Sequence, residues 1–222
     1  MSEVARLEGV GRTFGPREEV TALADVDLAI EEGAFVAVEG PSGSGKSTLL
    51  NILGLLDTPS TGRYRLDGND VTGLRAGEAA RARAEFLGFV FQSYHLLAAK
   101  NVIDNVVLGA SYRAIRRRER YRRAFDVLDE LGLAHRVTAM PPTLSGGEQQ
   151  RVAIARAVIG GKRLLLCDEP TGNLDSENTR KVVEVLRRMA HEGIAVVVAT
   201  HDPMVARESD ATVRLVDGHP VT

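Results

Sequence analysis

The spacing of apolar positions changes along the chain, and each spacing predicts a different element. Residues 20–30 (VTALADVDLAI) alternate apolar with other residues, which is typical of a half-buried strand. Short apolar runs, rich in β-branched residues, predict buried strands of a parallel sheet. These runs are residues 35–38, 87–91, 164–167 and 195–200. Residues 64–66 and 211–216 predict two further short strands, and the second turns at Asp217-Gly218 into a hairpin.

A helical spacing dominates the middle of the chain. Residues 113–131 carry apolar side chains at i, i+3, i+4 and i+7, which predict one apolar stripe on a helix ending near Gly132. The stripe consists of Tyr121, Ala124, Phe125, Leu128 and Leu131. Residues 145–158 and 177–191 predict two more helices between the later strands. The alternation indicates an α/β fold with a mostly parallel sheet and a helical segment inserted between about residues 93 and 145.

Composition narrows the class of protein. Hydrophobic residues make up 44% and charged residues 26% of the 222 residues, which is ordinary for a globular protein and excludes a disordered or collagen-like chain. The 28 basic and 30 acidic residues give a net charge of −2, so no general basic field for nucleic acid is expected. Cys167 is the single cysteine and favours a reducing compartment. Without an apolar run of about 18 residues or a signal-peptide pattern, a cytoplasmic protein is expected.

A phosphate-binding motif follows the strand at residues 35–38. The sequence GPSGSGKST matches G-x-x-x-x-G-K-[ST], in which glycines let backbone N–H groups face phosphate oxygens. Lys46 would reach the β- and γ-phosphates, and the Ser47 hydroxyl would bind Mg²⁺. A flexible Gly/Ser turn is the alternative, but the helical run LLNILGLL that follows favours the P-loop. The candidate nucleotide-binding residues are Gly40, Pro41, Ser42, Gly43, Ser44, Gly45, Lys46, Ser47 and Thr48.

Two acids end the apolar strand LLLCDE. Asp168 at the carboxyl end of a buried strand beside a P-loop is placed to hold Mg²⁺. Glu169 points elsewhere because successive strand residues alternate in direction, and it can act as the general base on an attacking water. The alternative is a strand-end turn with two solvated acids.

A third motif, LSGGEQQRVAIARA from Leu144 onward, opens a helix that Ser145 can cap. Taken alone it is a capped helix start. Together with the P-loop before it and LLLCDEP after it, it resembles the signature of ATP-binding cassette (ABC) ATPases, and the resemblance covers essentially the whole chain. It implies a P-loop NTPase (RecA-like) fold in one domain, residues 1–222. An antiparallel β subdomain and the P-loop core would span 1–92 and 146–222, and a helical subdomain 93–145.

The resemblance also implies roles for single residues. Gln92 resembles the Q-loop glutamine, which contacts Mg²⁺ and the attacking water, and His201 resembles the switch histidine at the γ-phosphate. Phe14 resembles the aromatic that stacks on adenine, although a core position is the alternative. Asp175 resembles the D-loop residue that reaches across a dimer, with a helix N-cap as the competing interpretation. The catalytic set would be Glu169, His201, Gln92 and Lys46, and the metal set Ser47, Gln92 and Asp168. A second copy would contribute Leu144, Ser145, Gly146, Gly147, Glu148 and Asp175 in trans.

Less specific motifs indicate a branch of the family. GPSGSGKST, GFVFQSYHLL and DEPTGNLDS are similar to the branch serving lipoprotein release, macrolide export and cell-division signalling. That branch usually has a proline after the double leucine, whereas Ala98-Ala99-Lys100 follows Leu96-Leu97 here. The departure lies where a partner's coupling helix would dock.

The resemblance therefore implies an ATPase that uses ATP and Mg²⁺ and pairs with a second copy of itself. It would power an integral membrane permease from the cytoplasmic face of the cell membrane, with no nucleic-acid partner. A regulatory cassette that signals without cargo is an alternative that the sequence does not separate. A soluble ATPase acting on DNA or ribosomes is disfavoured, because the residues between Gln92 and Leu144 lack the sustained heptads of the chromosome-type coiled coil, and ribosome-type members carry two cassettes where this sequence has one. The arginine-rich stretch 116–123 is interpreted as a solvated helix face.

Overall fold

The computed structural model describes residues 2–15, 20–112 and 115–221, and four strands near the amino terminus form an antiparallel sheet. Its order is β2-β1-β4-β5, with β1 Glu3–Phe14, β2 Val20–Glu31, β4 Thr61–Leu66 and β5 Asn69–Asp70. The sequence did not predict β1. Its pairing with β2 shifts register at several points, so neighbours such as Val4 and Ala5 are both buried and the two-residue alternation is lost.

A second sheet of six strands holds the centre of the molecule. Its order is β10-β9-β3-β8-β7-β6. The strands are β3 Phe35–Glu39, β6 Leu87–Phe91, β7 Leu164–Asp168, β8 Ala195–Ala199, β9 Ala211–Val216 and β10 His219–Val221. All neighbours pair in parallel except β9 and β10, which form the expected antiparallel hairpin. The predicted fold class, α/β with a mostly parallel sheet and an antiparallel sheet, is confirmed.

Seven α-helices occur in the described residues. They are α1 Lys46–Leu53, α2 Ala76–Phe86, α3 Val102–Leu108, α4 Arg117–Glu130, α5 Gly146–Val158, α6 Ser176–His191 and α7 Pro203–Glu208. The predicted helices α5 and α6 are confirmed. The sequence did not predict α2, α3 or α7, because α2 buries no residue and the other two span two turns or fewer.

Helix α4 corrects part of the predicted apolar stripe. The helix begins at Arg117 rather than at Arg113, which lies outside the described residues. Ala124 and Leu128 are buried, but Phe125 is 44% exposed, so its place in the stripe was wrong. Phe125 follows Ala124 directly and therefore lies about 100° further round the helix than the narrow line that packs inward.

The arginines of α4 lie mostly at its surface. Arg122 and Arg123 form ion pairs of 2.8 Å with Glu119, which lies three and four positions earlier, about one turn away in the same helix. Arg122 also contacts Asp126 at 3.2 Å. These ion pairs neutralise part of the positive charge of the arginines within α4 itself.

The six-stranded sheet separates two hydrophobic cores. Successive residues of its strands face opposite cores: Leu165 and Cys167 pack with α3–α6, whereas Leu164 and Leu166 pack with α1 and the antiparallel sheet. The carboxyl ends of β3, β7 and β8 consequently meet at one edge of the sheet. No helix in the described part of the chain is long and apolar enough to cross a bilayer.

Candidate functional site

The loop between β3 and α1 has a shape that only glycine permits at two positions. Gly40 has φ 152°, and a Cβ there would lie 2.3 Å from the Leu215 carbonyl oxygen. Gly45 has φ 103° and a Cβ there would lie 2.4 Å from the carbonyl oxygen of Ala22 in β2. The loop is therefore packed between β9, which contains Leu215, and β2, which contains Ala22.

Backbone donors of this loop remain free. Ser44 donates its N–H to the Pro41 carbonyl at 3.2 Å, whereas among the described residues the N–H groups of Gly43, Gly45 and Lys46 have no acceptor. Because α1 begins at Lys46, these groups lie at the positive end of the helix dipole. The Ser44 hydroxyl is buried and also lacks a partner in the described residues. Free donors at a helix start suit bound phosphate.

Lys46 folds back over the loop that precedes it. Its Nζ donates to the carbonyl oxygens of Gly40 at 2.7 Å and Pro41 at 2.9 Å. The ammonium group is therefore held at the mouth of the loop, where a phosphate oxygen can replace the two carbonyls.

The two acids that follow β7 differ in their surroundings. Burial and the neighbouring Glu169 raise the pKa of Asp168, while the positive charge of Lys46 opposes the rise. Glu169 has φ 46°, a left-handed conformation that is uncommon for a residue other than glycine. Its backbone N–H donates to the Ala199 carbonyl at 2.9 Å, which ties this turn to the end of β8.

His201 contacts Glu169 directly. The imidazole Nδ1 lies 2.8 Å from Glu169 Oε1, and the Thr200 hydroxyl donates to Glu169 Oε2 at 3.4 Å. The hydrogen bond and the negative charge of Glu169 raise the pKa of His201. The sequence did not single out Thr200, although its position between a buried strand and His201 was a usable signal.

These groups line one cleft of about 550 Å³. The lining residues are Ala22, Gly40, Pro41, Ser42, Gly43, Gly45, Lys46, Ser47, Thr48, Asp168, Glu169 and His201. Three distant segments of sequence are thus brought together at the carboxyl ends of β3, β7 and β8. The remaining candidates, Ser44, Phe14, Gln92, Asp175 and the 144–148 segment, do not line this cleft; Ser44 is buried within the loop itself.

Gln92 lies at the end of β6 and is linked to the loop after β7. Its Nε2 donates to Asn173 Oδ1 at 3.3 Å, and Asn173 Nδ2 donates to the Gln92 carbonyl at 3.1 Å. A Cβ on Gly172 would lie 2.8 Å from Gln92 Nε2, so the loop packs closely on the glutamine. Sequence reasoning did not find Asn173 as the partner of Gln92.

The 144–148 segment opens α5 with a capping box. Ser145 Oγ accepts from the Glu148 N–H at 3.3 Å, and Glu148 Oε2 accepts from the Ser145 N–H at 2.8 Å. Burial disfavours the charged form of Glu148, but the Ser145 N–H and the Ser145 hydroxyl both donate to its carboxylate and Arg136 Nε lies 2.8 Å away, so its pKa is lowered overall. The segment is thus a rigid helix start at a surface separate from the cleft.

Asp175 caps the next helix. Its Oδ1 accepts from the Asn178 N–H at 2.8 Å, so the structure shows the N-cap that competed with a role across a dimer. Asn178 in turn packs against the start of α5, because a Cβ on Gly147 would lie 2.2 Å from Asn178 Oδ1. The loop before α6 and the start of α5 therefore form one joined surface.

Comparison with known proteins agrees with this arrangement. The family model described as ABC transporter matches residues 23–172. The uncharacterized ABC transporter ATP-binding protein YvrO of Bacillus subtilis is 44% identical over 205 residues, which are 92% of this chain and 90% of YvrO. The chain belongs to the ABC transporter family. It is an ATP-binding cassette with the ATPase fold.

Relatives also place the cassette near the macrolide branch. The macrolide export ATP-binding/permease protein MacB 1/2 of Paracoccus denitrificans is 51% identical over 217 residues, which are 97% of this chain. MacB of Marinobacter nauticus is 47% identical over 216 residues. The cassette spans 32% and 34% of the lengths of these two proteins.

Solved cassettes share the fold closely. The dimeric structure of MJ0796, described as a bacterial ABC transporter cassette, matches with a TM-score of 0.87 and 39% identity over 98% of this chain and 97% of that one. A dimeric post-hydrolysis state of MJ0796 bound to ADP and Pi matches with a TM-score of 0.88 and 38% identity, over the same shares of the two chains. Both the predicted family and the predicted ATPase activity are confirmed.

Proposed function

We propose that this cassette binds and hydrolyses ATP, with Mg²⁺, to drive a separate integral membrane permease. The observation that carries the proposal is the placement of Glu169 in the P-loop cleft with His201 at 2.8 Å. A carboxylate held by an imidazole at the phosphate end of such a cleft has the position that a general base for water attack requires.

Each residue of the cleft has a separate role in the proposed hydrolysis. Lys46 exchanges the carbonyls of Gly40 and Pro41 for β- and γ-phosphate oxygens, and the free loop N–H groups bind the same phosphates. Glu169 accepts a proton from the water that attacks the γ-phosphorus in line with the departing ADP oxygen. His201 holds Glu169 in position and, when protonated, donates toward the developing charge on the phosphoryl group.

The oxygen donors of the cleft fit Mg²⁺. Ser47 supplies a hydroxyl and Asp168 a carboxylate. Gln92 lies outside the cleft, where its Nε2 donates to Asn173 Oδ1, and its amide oxygen would join the site when ATP is bound. Hydroxyl, carboxylate and amide oxygens, together with substrate phosphates, are the ligands that Mg²⁺ prefers. Bound there, the cation would neutralise phosphate charge and so reduce repulsion of the attacking water.

A second copy would complete each site. Leu144, Ser145, Gly146, Gly147 and Glu148 form a helix start outside the cleft, and a helix start attracts anions. We assign this surface, with Asp175 beside it, to the ATP held by the partner copy, and we retain 93–145 as a helical subdomain. The dimeric cassettes among the solved relatives support this assignment.

The membrane partner is inferred from relatives. MacB proteins are named ATP-binding/permease proteins and are about three times as long as this cassette. We propose that the cassette acts on the inner face of the cell membrane through such a permease, in export, lipoprotein extraction or mechanotransmission. A cassette that signals through a membrane partner without moving cargo is the second candidate, since the same site would serve it.

Hydrolysis is tested with Glu169→Gln. We expect phosphate release to fall at least about a hundredfold, as for loss of a positioned general base, while ATP binding in calorimetry is retained. Lys46→Ala should instead weaken ATP binding itself, because a phosphate-directed charge is lost. Glu85→Gln, at an exposed acid of α2, is the matched control and should hydrolyse ATP normally. Normal turnover by Glu169→Gln would refute the role of Glu169.

The partner is tested by capture. Tagged Glu169→Gln protein is incubated with detergent-solubilised membranes and MgATP, and the bound proteins are identified by mass spectrometry. Recovery of an integral membrane permease, absent with the Lys46→Ala variant, would support the proposal. Recovery of ribosomal or DNA-bound proteins alone would leave the ATPase in place and overturn the membrane partner.

A further inference from the structure

Arg12 and Phe14 form a stacked pair on β1, beside the nucleotide cleft. The two residues are separated by one position, and their contact shows that both side chains lie on the same side of β1, although the pairing with β2 shifts register between Arg12 and Thr13. The Arg12 guanidinium carbon lies 4.4 Å from the centroid of the Phe14 ring, a distance typical of a cation–π contact. The guanidinium thus covers one face of the ring, and 42% of Phe14 remains exposed.

The guanidinium is fixed from the other side by Asp57. Arg12 Nε lies 2.9 Å from Asp57 Oδ2, and Arg12 Nη2 lies 2.8 Å from Asp57 Oδ1, which is a two-pronged contact. Both side chains are less than one-quarter exposed. Asp57 belongs to the segment after α1, where its backbone N–H donates to the Asn51 carbonyl at 3.2 Å. The pair therefore joins the β1–β2 hairpin to the P-loop helix.

The described residues that line the cleft supply no benzene or indole ring on which a base could stack. They include no Phe, Tyr or Trp. Phe14 pairs with Val20 of β2, two positions before the lining residue Ala22. An aromatic side chain at this rim stacks a base well only if one face is free and the ring is held still.

We propose that Arg12 is a positioning residue for the nucleotide base: anchored by Asp57, it blocks one face of Phe14 and presents the opposite face to adenine. The inference rests on the adenine-stacking role that the family resemblance implies for Phe14, which we propose here as part of the nucleotide site, and extends it. The planar guanidinium is needed because it stacks on the ring and forms the two-pronged contact at once, and a lysine ammonium does not combine both contacts.

The first test separates base binding from phosphate binding. Calorimetry measures the affinity of each variant for ATP and for inorganic tripolyphosphate, which has no base. We expect Arg12→Gln to weaken ATP binding by about two- to fivefold, the range of an exposed cation–π contact, and to leave tripolyphosphate binding unchanged. Asp57→Asn should also weaken ATP binding and leave tripolyphosphate binding unchanged. The ATP affinity of Arg12→Lys should lie between that of Arg12→Gln and that of the unaltered protein. The turnover rate at saturating ATP should be the same in all these variants.

A double-variant cycle shows whether Arg12 acts through Phe14. If it does, Arg12→Gln should have no further effect on ATP affinity once Phe14→Ala is present. Arg6→Gln is the matched control, because Arg6 also pairs with an acid on β1, Glu3 at 2.6 Å, but contacts no ring among the described residues. It should leave ATP affinity unchanged.

A spectroscopic variant reports the stacking directly. The chain has no tryptophan, so Phe14→Trp introduces a single indole. We expect ATP, but not tripolyphosphate, to quench its fluorescence, and Arg12→Gln to reduce the quenching at saturating ATP.

The outcomes separate the two claims. If Phe14→Ala lowers ATP and tripolyphosphate affinity equally or not at all, the proposed role of Phe14 fails. If Phe14→Ala lowers only ATP affinity while Arg12→Gln has no effect, or has its full effect in the Phe14→Ala protein, Arg12 is merely a brace for the hairpin and the inference is overturned.

Discussion

Glu169 and His201 form the contact at the residue scale from which most of the chemistry follows. The two residues are 32 positions apart in the chain, yet Nδ1 and Oε1 are 2.8 Å apart, because Glu169 directly follows β7 and His201 is the second residue after β8. Because Glu169 raises the pKa of His201, the folded state favours the protonated imidazole. Any stabilisation from the pair is therefore present below the ordinary pKa of 6.5 and is lost as the pH rises through the raised value.

This coupling is measurable by NMR. We expect the His201 ring protons to titrate with a pKa above 6.5, and Glu169→Gln to lower that pKa because the charge and the anionic acceptor are removed. The resonance is assigned with His201→Gln. An identical His201 pKa in the Glu169→Gln protein would show that the two side chains do not interact in solution.

The positions of the proposed site residues were predictable from sequence where a motif fixed them. Lys46, Asp168, Glu169 and His201 all lie in or beside motifs that end buried strands, and the structure brings them to one cleft. The contacts of Arg12 with Asp57, of Thr200 with Glu169 and of Asn173 with Gln92 were not predictable, since the partners lie 31 to 81 positions apart in the chain.

At the scale of elements, the packing of α3 on α5 depends on Gly109. The glycine ends α3, and a Cβ there would lie 1.9 Å from the carbonyl oxygen of Arg156 in α5. A backbone oxygen inside a helix has little freedom to move aside. The same helix holds the loop after β6, because Arg156 donates to the carbonyls of Tyr94 at 2.7 Å and His95 at 2.5 Å.

Gly109→Ala should therefore destabilise the protein. We expect a loss of about 1–3 kcal/mol in the free energy of unfolding, as for overpacking of a tight contact. Gly77→Ala in α2 is the matched control, since a Cβ there meets nothing within 4 Å, and it should be neutral or stabilising. Chemical denaturation of both variants compares them, and equal stabilities would contradict the close approach of α3 and α5.

Sequence periodicity located long elements better than short ones. The buried strands β3, β7 and β8 and the helix α6 were predicted because continuous apolar runs and helical stripes are strong signals. The strand β1 was missed because its register shifts break the alternation, and α2 because it buries no residue. Pairing and packing decide such elements, and neither is visible in a single sequence.

At the scale of the whole molecule, the residues proposed to bind nucleotide lie on two separate surfaces. The P-loop cleft lies at the carboxyl ends of β3, β7 and β8, whereas the capped start of α5 and Asp175 form a second surface outside it. One copy therefore does not bring all the proposed nucleotide-binding residues together. The family resemblance implies such a division, which local sequence patterns do not contain.

Sedimentation velocity on Glu169→Gln most directly tests whether two copies complete the site. We expect one species at the monomer mass without nucleotide and one at twice that mass with ATP and Mg²⁺, because bound ATP would join the cleft of one copy to the 144–148 surface of the other. The double variant Glu169→Gln/Lys46→Ala should stay monomeric under both conditions. A Glu169→Gln sample that remains monomeric while calorimetry shows it saturated with ATP would contradict the account.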